Sequence, residues 1–363
     1  MNTVLLQQIF STDTPLLDVR APVEFQQGAF PSAVNHPILN DQEREQVGIC
    51  HKQHGPDAAE KLGYQLVKGT SRDERTGYWM DFLDNHPGAH LYCFRGGQRS
   101  AIAKQWIESA GGSIPRIEGG YKTMRNYLLG IFEKLPAITI VSGKTGVGKT
   151  ILINEIQGSV DLEGFANHRG SAFGNRATPQ PNQINFENAV AIAILKADGS
   201  LVLEDEGRMI GRLNLPLSLH GAMKSAPIVL LEDTLENRVE RIYQEYIVDQ
   251  IAELLVCKEQ SPVQHLQQKY LAALLAIRKR LGGVAHTRIS GLMEHAFAVH
   301  LKGDKNSQHQ AHKDWIEQLL CLYYDPMYEY QINLKSERII ESGDRNSLRA
   351  YLESTSDARD ISV

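Results

Sequence analysis

Residues 137–156 read AITIVSGKTGVGKTILINEI. The opening apolar run, Ala137 to Val141, is typical of a buried strand, and the glycine-rich turn after it leads into an apolar helical pattern. The turn matches G-x-x-x-x-G-K-[ST], a loop whose backbone N–H groups wrap a diphosphate. We therefore predict a phosphate-binding loop made by Gly143, Lys144, Thr145, Gly146, Val147, Gly148, Lys149 and Thr150.

Acidic side chains at the ends of nearby strands are candidates to complete this site with Mg²⁺. In such loops the lysine bridges phosphate oxygens and the Ser/Thr hydroxyl can hold the ion. Residues 200–206 read SLVLEDE, an apolar strand ending in acids, with Asp205 the first choice as a further ligand and Glu204 the second. Residues 227–233 end in the same way, and solvated acids at strand ends are common, so the assignment stays open.

A long glycine- and proline-rich segment follows the loop. Residues 164–186 contain no acid and include His168, Arg169 and Arg176. A loop of this length inside a compact domain usually has a function. Because its charged residues are basic, we expect it to contact an anion or phosphate. An ordinary long surface loop would have the same composition.

The chain divides into two parts near Pro136. Its 363 residues, 42% hydrophobic and 22% charged, are those of a globular protein with room for two domains. Short apolar runs alternate with helical patterns before residue 134, which indicates an α/β domain at 1–134. We predict a second α/β domain, carrying the phosphate loop, at 137–363, largely helical after about residue 234. A typical apolar helix stripe there is Leu266, Tyr270, Leu274, Ile277 and Leu281.

One cysteine in the first part has a chemically informative setting. Residues 90–100, HLYCFRGGQRS, read as strand, cysteine, Gly/Arg loop and helix. Backbone N–H groups of a loop that enters a helix stabilise an anion, and Arg95 and Arg99 add positive charge, so we predict Cys93 as a nucleophile. The spacing C-x5-R from Cys93 to Arg99 also fits cysteine phosphatases, and a buried structural cysteine is the plain alternative.

The remaining cysteines give no sign of a metal or disulfide framework. The four cysteines form no CxxC pair, we identify no certain metal ligands, and we expect Cys257 and Cys321 to be core residues. No apolar run approaches the ~18 residues of a membrane span, and residues 1–13 lack the features of a signal peptide. We expect a cytoplasmic protein without a membrane partner.

The net charge of −5 gives no whole-chain attraction to nucleic acid, so RNA would need a local basic surface. Residues 260–293 contain no acid and offer one. Such a cluster usually forms a solvated helix face. The alternative is that these residues contact the phosphates of an RNA backbone. The candidate RNA-binding residues are Lys269, Arg278, Lys279, Arg280 and Arg288.

Segments around Cys93 resemble the signatures of a rhodanese domain. They are LDVR (17–20), Glu24-Phe25, GAFPSAVN (28–35) and EGGY (118–121), all in the expected order. The cysteine loop has one more residue before its second arginine than the commonest rhodanese form. We expect a roomier pocket than simple sulfur transfer needs, suited to a larger atom or a phosphate-bearing donor.

The two parts together resemble the tRNA 2-selenouridine synthase family. The phosphate loop, NHRGSAFG (167–174) and LEDEGRMIG (203–211) follow the rhodanese-like segments in the family's order. The resemblance implies that 2-thiouridine at the wobble position of tRNA is S-geranylated from geranyl diphosphate, and that selenium from selenophosphate then displaces the geranylthio group. It also implies that Cys93 carries selenium. No tightly bound cofactor is expected, and the phosphate loop would bind the diphosphate of the prenyl donor, with Mg²⁺ as an option.

Two alternatives from other classes remain open. One is a P-loop kinase or NTPase with a regulatory rhodanese-like module, which would turn over ATP or GTP without tRNA. The other is a non-enzymatic scaffold that carries sulfur or binds RNA, whose function would be indifferent to loss of the Cys93 thiol.

Overall fold

The computed structural model describes residues 3–197 and 199–360. The chain forms two compact units: Met1–Lys134 with Asn182–Lys196, and Leu135–Pro181 with Ala197–Val363. Both units contain a parallel sheet with helices, so the predicted α/β class is confirmed. Among the described residues, none of the helices has the length and apolar composition needed to cross a membrane.

The elements are numbered in chain order. The helices are α1 (Thr3–Ser11), α2 (Pro22–Gln27), α3 (Asp41–His54), α4 (Pro56–Leu66), α5 (Thr70–Asn85), α6 (Gln98–Ser109), α7 (Gly120–Ile131), α8 (Lys149–Glu155), α9 (Leu162–Ala166), α10 (Gln183–Lys196), α11 (Leu217–Ser225), α12 (Leu235–Tyr243), α13 (Asp249–Val256), α14 (Pro262–Leu281), α15 (Gly283–Leu301), α16 (Lys305–Leu319), α17 (Asp325–Asn333) and α18 (Arg345–Asp360). The strands are β1 (Leu16–Asp18), β2 (Ala33–Asn35), β3 (His90–Tyr92), β4 (Ile138–Ser142), β5 (Ser159–Val160), β6 (Leu201–Glu204), β7 (Met209–Ile210), β8 (Leu213–Asn214), β9 (Ile228–Leu231) and β10 (Ile339–Gly343). Gln244–Val248 and Leu320–Tyr324 are π-helical, and Ser336–Arg338 is a 3₁₀ turn.

The first unit contains a three-stranded parallel sheet in the order β2-β1-β3. Leu17 of β1 pairs with Val34 on one side and Leu91 on the other. Leu17, Leu91 and Trp79 are fully buried in the core beside this sheet. The carboxyl ends of β1 and β3 are neighbours, and in open α/β sheets this edge is where ligands bind.

Helix α10 belongs to the first unit, although its position in the sequence lies beyond the phosphate loop. Asn185 accepts a hydrogen bond from the Ala29 N–H at 2.7 Å, and the Asn188 amide donates one to the Ala29 carbonyl at 2.8 Å. Arg125 of α7 pairs with Glu187. The predicted second domain, residues 137–363, includes α10. In the structure these contacts make α10 part of the first unit instead.

The second unit is built on a five-stranded parallel sheet in the order β10-β9-β4-β6-β5. All five residues of the central strand β4 are buried, as its apolar sequence predicts. The phosphate-binding motif connects β4 directly to α8. The edge strands β5 and β10 were not predicted, since β5 has two residues and β10 is mostly polar.

Helices dominate the second unit after residue 234, as predicted. The stripe on α14 is buried at Leu266, Tyr270, Leu274 and Ile277. These residues share a core with apolar residues of α12, α15 and α16. The prediction that Cys257 and Cys321 are core residues is wrong, since both are exposed: Cys257 follows the last residue of α13, and Cys321 lies on the solvent side of the π-helical segment.

Candidate functional site

Cys93 lies directly after β3 and is 3% exposed. Its thiol donates a hydrogen bond to the Ser100 hydroxyl at 3.3 Å, and that hydroxyl donates to the Gly97 carbonyl at 3.1 Å. Helix α6 begins at Gln98, so its unsatisfied first-turn N–H groups follow the cysteine loop. The sulfur is therefore placed where the start of a helix stabilises negative charge.

The start of α7 holds the cysteine loop by close backbone contact. The Tyr121 N–H donates to the Cys93 carbonyl at 2.9 Å, and the Lys122 N–H donates to the Phe94 carbonyl at 3.0 Å. Gly120 has φ +54°, and a Cβ at this position would lie 2.1 Å from the Cys93 carbonyl oxygen. The EGGY segment therefore needs glycine to approach the loop so closely.

A buried ion pair lies next to Tyr121, the residue whose N–H binds the Cys93 carbonyl. Asp18, at the end of β1, pairs with Arg20 at 2.6 Å, and Arg20 also donates to the Gly28 carbonyl at 2.7 Å. The Arg20 guanidinium lies 3.9 Å from the centre of the Tyr121 ring. Burial alone would lower the pKa of Arg20, but the hydrogen bonds and the charge of Asp18 outweigh this effect and raise the pKa. The LDVR and EGGY segments thus act as framework around Cys93.

The two predicted arginines of the loop have different surroundings. Arg99 donates two hydrogen bonds to the Glu24 carboxylate. Burial would raise the pKa of Glu24, but this pairing outweighs burial and lowers the pKa. Arg95 is exposed and its guanidinium lies 5.9 Å from the Phe94 ring centre. Arg95 is thus available to an incoming anion, while the charge of Arg99 is balanced by Glu24.

A cavity of about 710 Å³ opens beside the cysteine. Cys93 and Phe94 contribute to its wall, and helices α3 and α4 supply most of the opposite side. The expectation of a roomy pocket at this cysteine is consistent with this volume. Its charged lining residues are Glu24, Arg44, Glu45, Lys52, Glu60, Arg95 and Arg99.

The phosphate-binding motif adopts its loop between β4 and α8. Lys149 is the first residue of α8, and its ammonium group donates to the Gly143 carbonyl at 3.4 Å. The same ammonium lies 5.6 Å from the Tyr328 ring centre. Burial opposes the charge on Lys149, but Tyr328 and nearby glutamates outweigh it and raise the lysine pKa.

Two arginines of α12, which sequence reasoning missed, hold the loop backbone from outside. Arg238 donates to the Thr145 carbonyl at 2.9 Å and forms an ion pair with Asp325 at 2.5 Å. Arg241 donates to the Gly146 carbonyl and pairs with Asp233 at 2.8 Å. The available signal was the position of Arg238 beside the apolar stripe of α12, three residues after Leu235 and four before Ile242, which predicts a partly buried guanidinium in need of partners.

The two acids at the end of β6 have different partners, and Glu204 rather than Asp205 contacts the phosphate loop. The Thr150 hydroxyl donates to Glu204 at 2.6 Å. Asp205 instead accepts from Ser142 at 2.6 Å and from Lys335 at 2.7 and 2.8 Å. Neighbouring residues of a strand point to opposite faces, so only Glu204 faces the loop.

Glu204 has two further carboxyl groups near it. Glu163 and Glu206 hydrogen-bond to each other, and burial followed by mutual repulsion raises the pKa of Glu163. Burial, with repulsion from Glu163, raises the pKa of Glu204 to about 8. Lys149 stabilises the charged form of all three groups. A shared proton between Glu163 and Glu206 follows from this arrangement.

The predicted anion-contacting loop lies partly against this site. Arg169 pairs with Glu253 at 3.3 Å and lines a pocket of about 70 Å³ with Lys149 and Glu163. Arg176 lies 3.8 Å from Glu253 and is absent from the lining of that pocket. His168 is buried, and burial lowers its pKa. Of the three predicted residues, the structure therefore brings Arg169 to the phosphate loop.

The basic window divides into two environments. Lys269 is half-buried, donating to the Asn175 carbonyl and to Gln250 at 2.7 Å, and burial lowers its pKa to about 8. The other candidate RNA-binding residues are exposed at the end of α14 and the start of α15: Arg278, Lys279, Arg280 and Arg288. Lys269 thus belongs to the packing of the 168–176 loop rather than to the exposed basic face.

Within residues 3–197 and 199–360, no group of three or more His, Cys, Asp and Glu side chains is arranged to hold a metal ion. A Mg²⁺ ion bound mainly by substrate phosphates and water needs fewer protein ligands than that. Thr150 and Glu204 are two oxygen donors of the required kind.

The matching family model and the similar full-length proteins name one family. Residues 136–359 match the model of the tRNA 2-selenouridine synthase AAA domain. A tRNA 2-selenouridine synthase of Pseudomonas syringae pv. syringae (strain B728a) is 46% identical over 97% of both chains. Those of Azotobacter vinelandii (strain DJ / ATCC BAA-1303) and Pseudomonas fluorescens (strain Pf0-1) are 48% and 47% identical, over 95% of this chain and 95% and 96% of theirs. The chain therefore belongs to the tRNA 2-selenouridine synthase family and is a tRNA-modifying transferase.

Proposed function

We propose that this enzyme converts 2-thiouridine at the wobble position of tRNA to 2-selenouridine through an S-geranyl intermediate. Geranyl diphosphate and selenophosphate are the donors. The phosphate loop of the second unit serves the first transfer, and Cys93 of the first unit serves the second.

In the first step the sulfur of 2-thiouridine attacks C1 of geranyl diphosphate. A carbon–sulfur bond forms, the carbon–oxygen bond breaks, diphosphate leaves and the N3 proton is released. Lys149 and the loop N–H groups are placed to bind the diphosphate and to stabilise its growing charge. Arg169 lines the same pocket and adds positive charge to it.

Mg²⁺ fits this step because Thr150 and Glu204 present oxygen atoms 2.6 Å apart beside Lys149. When bound, the ion would offset charge on the departing diphosphate. Binding requires Glu204 as the carboxylate, so a bound cation must lower the raised pKa of this group.

In the second step the selenium of selenophosphate, held at Cys93, adds to C2 of the geranylated base. The carbon–selenium bond forms, the carbon–sulfur bond breaks and geranylthiolate leaves with the electron pair. Water then attacks the phosphorus atom, which breaks the selenium–phosphorus bond and releases phosphate and 2-selenouridine. Geranylation thus turns a poor leaving group into a good one. The start of α6 and the exposed Arg95 stabilise the selenium anion before attack.

Exposed cations at the end of α14 offer a contact for the tRNA backbone. Arg278, Lys279 and Arg280 are consecutive, and all three are solvent-accessible. Side chains of this kind bind phosphates without reading bases.

One observation carries the proposal: each unit has its own anion-binding loop, one with Lys149 beside Thr150 and Glu204, the other with Cys93 before α6. If the loops serve separate steps, a variant of one loop should lose one step. Lys149→Ala should slow geranylation roughly 30- to 1,000-fold, since loss of the bridging charge costs roughly 2–4 kcal/mol in the transition state. It should still selenate tRNA that is supplied already geranylated.

Lys224→Ala is the control, because Lys224 is an exposed lysine of α11 in the same unit that lies outside the phosphate loop and does not line its pocket. Mass spectrometry of tRNA nucleosides after incubation with both donors separates the steps. Equal failure of Lys149→Ala at both steps would contradict the proposal. Steady ATP or GTP hydrolysis without tRNA would instead favour a P-loop NTPase.

A further inference from the structure

The cavity beside Cys93 is larger than a selenium anion or a phosphate requires. Its volume of about 710 Å³ lies within the range of about 300–1,000 Å³ typical of small-molecule sites. Much of the lining is apolar. The apolar lining residues are Ile38, Leu39, Val47, Ile49, Ala59, Val67, Phe94, Ile102 and Trp106, together with Tyr64.

Helix α3 packs against α4, but its side of the cavity stays accessible to solvent. None of the residues of this helix is buried, and Ile49 is 48% exposed although it lines the cavity. Tyr64 of α4, which also lines the cavity, is 41% exposed. An apolar occupant would remove this surface from water, and that burial would favour binding.

We propose that this cavity binds the geranyl chain of the S-geranylated wobble nucleoside during selenation. The inference rests on the proposed function and names the ligand subsite of its second step. Displacement at C2 places the incoming selenium and the departing sulfur on the same carbon atom. With selenium held at Cys93, the prenyl chain must begin close to this residue, and the adjoining apolar space is the cavity.

The charged side chains of the cavity suit the remainder of the substrate. Besides the carboxylates Glu24, Glu45 and Glu60, the lining carries the cations Arg44, Lys52 and Arg95. These side chains can meet the phosphates that flank a nucleoside, while an uncharged chain lies among the apolar residues. The cavity thereby distinguishes the geranylated nucleoside from its 2-thiouridine precursor by one apolar group.

Gly63 provides a way to fill the cavity without disturbing the backbone. It lies in α4 and lines the cavity, and a Cβ there would meet only Val47 Cγ2, at 3.9 Å. Leucine is also a better helix former than glycine. Gly77→Leu in α5 is the matched control, because Gly77 is an exposed helical glycine with nothing within 4 Å of its Cβ position and lies outside the lining.

The experiment supplies tRNA carrying S-geranyl- or S-dimethylallyl-2-thiouridine together with selenophosphate. For Gly63→Leu we expect the KM of the geranylated tRNA to rise about tenfold or more, with a smaller effect on the shorter dimethylallyl group. Gly77→Leu should resemble the wild type with both substrates. Geranylation of 2-thiouridine tRNA should be unchanged in both variants.

A binding measurement separates failure of this inference from failure of the proposed function. The wild type should bind S-geranyl-2-thiouridine nucleoside more tightly than 2-thiouridine, and Gly63→Leu should abolish the difference. Equal KM values for Gly63→Leu and wild type with geranylated tRNA would overturn the cavity assignment alone. A wild type that cannot selenate geranylated tRNA would overturn the proposed function.

Discussion

Arg99 donates two hydrogen bonds to the Glu24 carboxylate, at 2.5 and 3.0 Å, within the wall of the cavity that contains Cys93. Glu24 is itself fixed by a hydrogen bond from the Ala21 N–H at 3.1 Å. The bidentate pair orients the guanidinium and offsets its charge. Positive charge at Cys93 is therefore set by a balance between these two residues, which can be changed from either side.

Glu24→Gln should increase the preference of Cys93 for anionic reagents, and Arg99→Ala should decrease it. We expect the ratio of rate constants for dianionic DTNB and neutral iodoacetamide to change roughly fivefold in each direction, which corresponds to about 1 kcal/mol. The measurement needs a background in which Cys50, Cys257 and Cys321 are serine, because Cys257 and Cys321 are exposed. An unchanged ratio in both variants would mean that this ion pair does not influence the sulfur.

Gly120→Ala should displace the cysteine loop. The left-handed backbone alone costs roughly 1–3 kcal/mol with alanine, and the new Cβ would clash with the Cys93 carbonyl. We expect a lower unfolding temperature and altered Cys93 reactivity. Gly130→Ala, in the same helix with open space around its Cβ position, is the control and should be neutral or stabilising. Wild-type stability and reactivity in Gly120→Ala would refute the close-contact explanation.

Local patterns predicted the parts of the site that are continuous in sequence. The apolar run before Gly143 forms β4, and the glycine-rich motif forms the loop before α8. The apolar residues from Leu266 to Ile277 form the buried stripe of α14. In each case a short segment specifies its own periodicity or turn. The setting of Cys93 between β3 and α6 belongs to the same class.

Contacts between distant segments could not be predicted. The face of α10 that carries Phe186 and Val190 is buried, but periodicity does not say against which unit it packs. Glu163 was missed because its contact with Glu206 joins segments more than 40 residues apart, which no local pattern reveals. The contact of Thr150 with Glu204 rather than Asp205 could not be predicted, because the last residue of β6 cannot be fixed from sequence and a shift of one residue reverses the face.

His312 should make the helical part of the second unit lose stability in acid. The Trp315 indole donates to His312 Nδ1 at 3.1 Å, and His312 Nε2 lies 3.1 Å from His300 Nδ1, so the fold requires the neutral ring. Burial, with repulsion from His300, lowers the pKa of His312 to about 3 from 6.5. The unfolded chain therefore binds a proton between these pH values that the folded chain does not.

Stability should consequently fall as pH drops below about 6.5, by at most about 1.4 kcal/mol per pH unit for this one proton. Chemical denaturation between pH 4 and 7 measures the slope. His312→Gln should be less stable at pH 7 but show a shallower dependence on pH. His295→Gln, on the exposed side of α15, should keep the wild-type slope, and an identical slope in all three proteins would contradict the assignment.

Replacing Arg278, Lys279 and Arg280 by glutamine should weaken binding of every substrate tRNA to a similar degree. The slope of log K against log salt should become shallower by about 0.7–0.9 for each phosphate that the variant no longer neutralises. Arg349→Gln is the control, because Arg349 is exposed but paired with Glu353 at 2.8 Å. An unchanged slope in the triple variant would show that these residues form an ordinary solvated helix end.

The central claim is that Cys93 serves selenation while the phosphate loop serves geranylation. The most direct test is nucleoside mass spectrometry of Cys93→Ala with two substrates, 2-thiouridine tRNA plus geranyl diphosphate, and geranylated tRNA plus selenophosphate. We predict near-normal S-geranyl-2-thiouridine from the first and no 2-selenouridine from the second. Undiminished 2-selenouridine formation by Cys93→Ala would contradict the account.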